Sequence, residues 1–458
     1  MNKHLLLTGC LALGFLFCRC EDGSLVDGSS PSMNEVMPTR ASAFFNSIGV
    51  NTHIGFYDTN YADFQGMLKS RLLELGVKHI RDGNIWGGNS GDTPLTRCKE
   101  LEQYGINLLL ICFGGDPVVD DPVERAGAFG QMLWGIEPVN EPDLNKKPGE
   151  WEQHARNEQQ RVFTAARSIP GKQVPVLGIA LAENVDNPSR LGNLSSQLDF
   201  GNLHLYASGL HPTNQDFGNY WGTRMEVAIS KARLICGEKP LIITEAGYHN
   251  YENSNQFRGC SEKAAAIYHV HLPFVYYNAG VSRTYIYELL DWNKAGVVDD
   301  MNMHYGLIRA DGSAKPSFRA LKNLLSIVKE EEVSYELSPL KFGIDPTVKD
   351  IEYTLLQKQD GSHWLALFRK VNVYDVKTHK DIEVAPVNVN VEFAEIPSSI
   401  DMYIPNQSDQ IIQSLKTGDK ISLQLGAELV LLKINTCIIK LNILNHTLIQ
   451  NMKSWLTI

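Results

Sequence analysis

Short apolar runs alternate eight times with stretches of helix length between Ile48 and about Ser326. The runs lie at 48–54, 77–81, 106–113, 136–141, 174–179, 200–206, 241–245 and 284–288. Apolar residues at helical spacing fill several of the gaps, most clearly at 63–75, 151–167, 225–235 and 262–277. Eight such repeats predict a (β/α)₈ barrel, which usually needs about 250 residues. An open, doubly wound sheet is the alternative, but no glycine-rich phosphate loop follows the first run.

The sequence pattern changes after a last predicted barrel helix at 317–330. Four later segments alternate polar and apolar residues or are wholly apolar, and turn residues separate them: 351–356, 364–368, 387–391 and 429–434. The chain is therefore predicted to be of the α/β class. We expect a barrel at 47–330, a smaller C-terminal β-sandwich at 331–435 and a tail at 436–458 without assignable structure.

The N-terminus has the pattern of an export signal. A basic start precedes a largely apolar stretch from Leu5 to Phe17, which predicts a signal peptide at 1–20, with a buried N-terminal helix as the alternative. The stretch Leu7-Thr8-Gly9-Cys10 resembles a bacterial lipoprotein box, so a lipid anchor stays open. Residues 21–46 are polar and rich in serine, glycine and proline, which predicts a linker. We therefore expect a secreted or cell-surface protein.

Charge and composition exclude several classes of protein. The chain has 42 basic and 52 acidic side chains and a net charge of −10, which disfavours a nucleic-acid-binding protein. No apolar run long enough to span a membrane follows the N-terminus. Neither an HExxH pair nor an Asp-rich calcium loop occurs, so we expect no metal and no cofactor. The sequence leaves the oligomeric state open.

Two glutamates follow apolar runs at positions where a barrel places its active site. Glu141 follows the fourth run and Glu245 follows the seventh, and active residues of such barrels lie at the C-terminal ends of the strands. Two opposed carboxyl groups are what acetal cleavage requires, since one donates a proton and the other attacks or stabilises the sugar. Glu183 and Glu288 also lie at or just past predicted strand ends and are the competing candidates.

The residues around these glutamates resemble a known group of enzymes. Asn140-Glu141-Pro142 on strand 4, with a glutamate on strand 7, is similar to the retaining glycoside hydrolases of clan A. The run 140–144 is similar to the family 39 form, and His204-Leu205-Tyr206 is similar to family 5. The resemblance covers about 48–326. It implies a TIM-barrel fold, with Glu141 as acid/base and Glu245 as nucleophile.

Further residues are candidates for substrate binding. Arg81 ends the second run, where a guanidinium would keep a nearby carboxylate ionised; an ion pair with Asp82 in a turn is the alternative. The resemblance implies that Asn140 bonds a sugar 2-hydroxyl and that His204 contacts sugar. It also implies that Tyr206 bonds the nucleophile.

Two positions at the rim are less sharply defined. His53 ends the first run at a position where the resemblance implies a contact with sugar hydroxyls; an exposed loop histidine is the alternative. An aromatic residue on strand 8 is expected to stack on the sugar. Tyr285, Tyr287 and Trp292 compete for that role, and Tyr287 and Trp292 are the candidates near the strand end.

The sequence therefore predicts an exported retaining β-glycosidase that hydrolyses O-glycosidic bonds of an oligosaccharide or polysaccharide by double displacement. A carbohydrate-binding barrel without catalysis and a transglycosidase with the same covalent intermediate are the alternatives. A cell-envelope scaffold, in which the sandwich is the functional part, is a third.

Overall fold

The computed structural model describes residues 32–83, 88, 91–112, 127–144, 147–183, 185–213, 224–251 and 259–436. The predicted signal peptide and all but the first residue of the predicted tail lie outside these residues. The strands are β1 Asn34–Val36, β2 Thr39–Arg40, β3 Ile48–Asn51, β4 His79–Asp82, β5 Asn107–Ile111, β6 Leu133–Glu137, β7 Gly201–His204, β8 Leu241–Ala246, β9 Val281–Ile286, β10 Leu340–Ile344, β11 Ile351–Gln357, β12 His363–Arg369, β13 Tyr374–Asp375, β14 Lys380–Asp381, β15 Val387–Phe393, β16 Ser399–Tyr403, β17 Gln413–Leu415, β18 Lys420–Leu425 and β19 Val430–Asn435. The α-helices are Ala41–Asn46, Ser70–Leu75, Pro94–Glu102, Glu150–Arg167, Asn187–Leu191, Met225–Cys236, Glu262–Asn278 and Pro316–Val328.

Seven parallel strands form the wall of the barrel in the order β6-β5-β4-β3-β9-β8-β7. Isolated parallel bridges join Ile136 to Val176 and Leu177 to Phe200, so residues 176–177 occupy the eighth position between β6 and β7. The (β/α)₈ prediction is confirmed. The barrel position between β6 and β7, which is the fifth in chain order, is formed by these two bridges and by no longer strand.

The helices pack against this wall through buried apolar residues. The predicted helix at 63–75 differs in detail, since Phe64–Lys69 has the wider π-helical winding before Ser70–Leu75 continues as α-helix. The helix Glu262–Asn278 is buried on nearly all sides. A helix that is apolar on all sides is stable only when other parts of the protein pack against all of its sides. The C-terminal region packs against one of them, where the Tyr268 hydroxyl accepts a hydrogen bond from the backbone N–H of Val373.

The predicted sandwich is confirmed as two sheets, which are antiparallel except where β2 pairs parallel with β11. One sheet has the order β1-β10-β15-β18 and the other β17-β16-β19-β12-β11-β2. β18 alternates strictly, with Ile421, Leu423 and Leu425 buried and the residues between them exposed. That alternation places one face on the core and the other in solvent.

The predicted linker at 21–46 is corrected over residues 34–46. β1 pairs antiparallel with β10, β2 pairs parallel with β11, and the helix Ala41–Asn46 follows at once. Ala41, Phe44 and Phe45 are buried in the main core. The strands have only three and two residues, too few to show a period in the sequence.

Among the described residues, the structure has no helix that combines the length and apolar character needed to cross a bilayer.

Candidate active site

The site lies at the C-terminal ends of the barrel strands. Arg81 lies on β4, His204 ends β7 and Glu245 lies on β8. Glu141 is not at the strand end, because β6 stops at Glu137 and Glu141 lies four residues further along the loop. Glu141 has a φ of +42°, in the left-handed region that costs a non-glycine residue about 1–3 kcal/mol. The surrounding loop therefore fixes the direction of this side chain at some cost.

Arg81 is the centre of the hydrogen-bond network. Its Nη1 donates to Glu245 Oε1 at 2.7 Å and to Asn51 Oδ1 at 3.0 Å. Its Nη2 donates to Asn140 Oδ1 at 2.7 Å and to Glu137 Oε1 at 2.8 Å, and Nε donates to Glu137 Oε2 at 2.7 Å. These acceptors match all five N–H groups of a guanidinium.

The alternative pairing of Arg81 with Asp82 is wrong. Asp82 Oδ2 accepts instead from the Thr52 hydroxyl and from the backbone of Ile54, both at 2.7 Å. Neighbouring residues on a strand point to opposite faces, so the side chains of Arg81 and Asp82 point away from each other.

Glu141 and Glu245 face each other with His204 between them. One carboxylate oxygen of each glutamate and one ring nitrogen of His204 all lie within 4.8 Å of one another. His204 Nδ1 lies 2.6 Å from Glu141 Oε1 and 3.5 Å from Glu245 Oε2. The histidine ring is buried against both carboxyl groups. Its predicted contact with sugar stays a prediction.

The two carboxyl groups have opposite pKa shifts. Burial raises the pKa of Glu141, and the charge of His204 only partly opposes it. Burial also acts to raise the pKa of Glu245, but His204, Arg81 and the Tyr206 hydroxyl together lower it. The expected effect of Arg81 on a nearby carboxylate is thus present. The shifts favour the protonated form of Glu141 and the charged form of Glu245, which is the split that acid catalysis beside a nucleophile requires.

Glu141, His204 and Glu245 also form the one cluster of three or more metal-ligating side chains, within the described residues, that are close enough to share a cation. Each atom, however, already has a protein neighbour at hydrogen-bond distance. Glu141 Oε1 lies beside His204 Nδ1, and Glu245 Oε2 accepts from Tyr206 at 2.7 Å. The arrangement is suited to sharing protons.

The aromatic candidates separate clearly. Tyr285 is buried among Leu109, Leu177 and Ile242 and does not reach the mouth. Tyr287 lies at the mouth, with its ring 6.3 Å from that of Tyr206. Trp292 packs edge-on against Phe56, with ring centres 5.9 Å apart, and the described contacts do not join it to the carboxyl pair.

Glu183, a competing candidate, has a local structural role. Its carboxylate accepts from the backbone of Val185, Asp186 and Asn187, where the helix Asn187–Leu191 begins. Glu288, the other competing candidate, is buried, and its Oε2 lies 2.9 Å from His53 Nε2.

Known structures share this architecture. The chain is similar to a family 39 glycoside hydrolase from the gut symbiont Bacteroides cellulosilyticus WH2, with a TM-score of 0.52 and 13% identity over 87% of this chain and 82% of that one. It is also similar to a glucosidase from Croceicoccus marinus, with a TM-score of 0.56 and 11% identity over 88% and 97% of the two chains. The chain shares its fold with these two enzymes. No family model and no curated protein matches the sequence.

Two residues beside the site, Glu137 and Tyr305, were not predicted from the sequence. Glu137 is buried beneath Arg81 and was counted as the interior of an apolar run. Tyr305 lies beyond β9, with its ring 5.5 Å from Tyr206 and 5.4 Å from Tyr287. A second glutamate four residues before Glu141 is a sequence signal that could have identified Glu137, whereas no local pattern marks Tyr305.

Proposed function

We propose that this protein is a retaining β-glycosidase that hydrolyses O-glycosidic bonds of an oligosaccharide or polysaccharide by double displacement. The observation that supports this most directly is the carboxyl pair, with oxygens of Glu141 and Glu245 within 4.8 Å. Retaining enzymes keep their carboxyl groups about 5–5.5 Å apart, whereas inverting enzymes leave about 6.5–9.5 Å for a water molecule. The short separation favours direct attack by a carboxylate.

In the first step, Glu245 attacks the anomeric carbon and the bond to the leaving oxygen breaks. Glu141 gives its proton to that oxygen, so the leaving group departs as an alcohol. In the second step, the carboxylate of Glu141 takes a proton from water, whose oxygen attacks the anomeric carbon and displaces Glu245. The enzyme returns to its starting protonation state.

Hydrogen bonds around Glu245 prepare it for this role. Arg81 donates to one oxygen and Tyr206 to the other, which favours the charged form. Asn140 accepts from Arg81 through its carbonyl oxygen, and this leaves its amide nitrogen to donate to a sugar hydroxyl. A contact with the 2-hydroxyl would strengthen in the transition state.

The deciding experiment is a panel of aryl β-glycosides, tested with the wild type and with Glu245→Ala in the presence of azide. We expect the wild type to release the sugar with its β configuration. We expect Glu245→Ala to be inactive until azide is added and then to form the α-glycosyl azide. Glu183→Ala is the control, since the described hydrogen bonds of the Glu183 carboxylate are to backbone groups at the start of the helix Asn187–Leu191.

Other outcomes of the same panel contradict the proposal. An α-configured sugar from the wild type would indicate inversion. Sugar binding without turnover would indicate a binding barrel, and preferential transfer to an added sugar would indicate a transglycosidase.

Export is part of the proposal and rests on the pattern of residues 1–20. Expression with the native N-terminus in a bacterial host, followed by N-terminal sequencing of the exported form, tests it. A mature chain that begins at Cys10 and carries lipid would establish the anchor, and a cytoplasmic chain that retains Met1 would contradict export.

A further inference from the structure

A second carboxylate–histidine pair lies beside the catalytic pair. Glu288 has a side chain that is 0% exposed, and its Oε2 lies 2.9 Å from His53 Nε2. The same oxygen accepts from the Tyr61 hydroxyl at 2.9 Å. Its other oxygen, Oε1, is buried and has no hydrogen-bond partner among the described residues. A carboxylate this poorly solvated is stable as an anion chiefly when a cation faces it.

His53 is that facing group, and its ring is held on three sides. It stacks on Phe56 at 4.3 Å with 9° between the planes, and it meets the rings of Tyr61 and Tyr287 edge-on. The side chain is still 20% exposed. Because Nε2 is directed at Glu288, the described contacts leave Nδ1 on the exposed side of the ring.

The position of His53 relative to the catalytic centre follows from its neighbours. Its Nε2 lies 3.4 Å from the Tyr287 hydroxyl, and the ring of Tyr287 packs against that of Tyr206, which bonds Glu245. His53 therefore borders the space in which a sugar attacked by Glu245 would lie.

The charged and titratable groups around His53 favour the imidazolium. Burial acts to lower the pKa of His53, but the net direction is upward because Glu288, Asp82 and Glu245 attract the charged ring. Tyr61 and Tyr287 face it as neutral hydroxyls, since burial raises the pKa of both well above the ordinary value for tyrosine.

We propose that Glu288 is a positioning residue that holds His53 as an imidazolium, whose Nδ1–H donates to an oxygen of the sugar bound beside Glu245. The inference rests on the proposed glycosidase function, and it assigns Glu288 a role through His53 and no contact with the reacting atoms. His53 thereby offers a charged donor, which forms a hydrogen bond about twice as strong as a neutral one.

The first test is nitrogen NMR of the histidine rings, with His53→Gln used to assign the signal. In the wild type we expect both ring nitrogens of His53 to carry protons near neutral pH. In Glu288→Gln, burial should dominate and the pKa of His53 should fall below its ordinary value. Glu183→Gln is the matched control and should leave the signal unchanged. A neutral His53 ring in the wild type would overturn the inference without any variant.

The second test is the pH dependence of KM for an aryl glycoside accepted in the panel. We expect Glu288→Gln to raise KM roughly tenfold above the lowered pKa of His53, with a smaller change in kcat, because one charge-assisted hydrogen bond is lost. His53→Gln should raise KM at every pH. A merely structural Glu288 would reduce stability and leave the pH dependence of KM unchanged.

The two proposals fail in different ways. The NMR measurement needs no turnover, so it reports on Glu288 even if no glycoside is hydrolysed. Turnover with identical KM profiles in the wild type and Glu288→Gln would overturn this inference and leave the glycosidase proposal intact.

Discussion

The Tyr206 hydroxyl donates to Glu245 Oε2 at 2.7 Å, on the carboxylate oxygen opposite the one that accepts from Arg81. Each oxygen of the proposed nucleophile therefore has one strong donor. Since hydrogen bonds to the charged form stabilise it, both donors act against the effect of burial on the pKa of Glu245.

Tyr206→Phe should move the acidic limb of the kcat/KM profile to higher pH. Loss of the hydroxyl raises the pKa of Glu245, so a larger fraction of it is protonated and inactive in mildly acid solution. We expect kcat/KM to fall by roughly tenfold or more, the effect of one hydrogen bond to a charged group. Tyr248→Phe is the control, because that hydroxyl donates to the backbone of Leu210. A shift to lower pH would contradict the role of Tyr206.

His204→Asn should move both limbs of the profile to higher pH. The charge of His204 lowers the pKa of Glu141 and of Glu245, so its removal raises both. The acidic limb reports ionisation of Glu245 and the basic limb reports loss of the Glu141 proton. Limbs that move in opposite directions would contradict this coupling. His269→Asn, a buried histidine that faces the backbone of Ala265, is the control.

Asp82→Asn should change how stability depends on pH. Burial raises the pKa of Asp82 to about 6, and His53 only partly opposes this. The folded state thus binds more protons than the unfolded state between about pH 4 and 6, so the wild type loses stability as pH rises through that window. A shift of this size corresponds to about 3 kcal/mol. The amide oxygen of the variant can still accept from Thr52 and Ile54, since both donate to one oxygen.

Urea unfolding of both proteins across this pH window measures the effect. The advantage of the wild type over Asp82→Asn should shrink as pH rises, and Asp401→Asn on β16 controls for an unrelated aspartate. A difference between wild type and Asp82→Asn that stays constant with pH would contradict the raised pKa.

A chain that begins at Ala41 should be less stable than one that begins at Ser32. The shorter chain lacks β1, β2 and the hydrogen bond from Arg40 Nη2 to the backbone of Tyr335 at 2.7 Å. With several bonds of roughly 1 kcal/mol each, we expect a loss on the order of 3 kcal/mol in the free energy of unfolding. Equal urea midpoints would show that the segment adds nothing.

The sequence predicted those features that repeat along the chain or that follow a local sequence pattern. The barrel strands show as apolar runs, and Glu141, Glu245, Arg81 and Tyr206 follow such runs closely enough to be placed together at the rim. The fifth barrel strand was also predicted, although the structure contains only two isolated bridges at that position.

Contacts between distant segments could not be predicted in this way. Tyr61 and Glu288 meet across 227 residues of sequence, and nothing in either neighbourhood marks the other. The partner of a buried charge is set by the closed ring of strands, which only the three-dimensional structure reveals. Glu137 was not predicted either, because it lies within the apolar run at 136–141. Its buried carboxylate, which is paired with Arg81, occupies a position where the pattern predicts an apolar side chain.

The sandwich is completed by strands from opposite ends of the chain, since β1 and β2 precede the barrel whereas β10 and β11 follow it. On the ribosome, β1 and β2 emerge first, and about 300 residues of barrel must be translated before their partners exist. At about 5–20 residues per second this interval lasts tens of seconds. These strand pairings can therefore form only after the whole barrel has been synthesised, and they join the segment before the barrel to the segment after it.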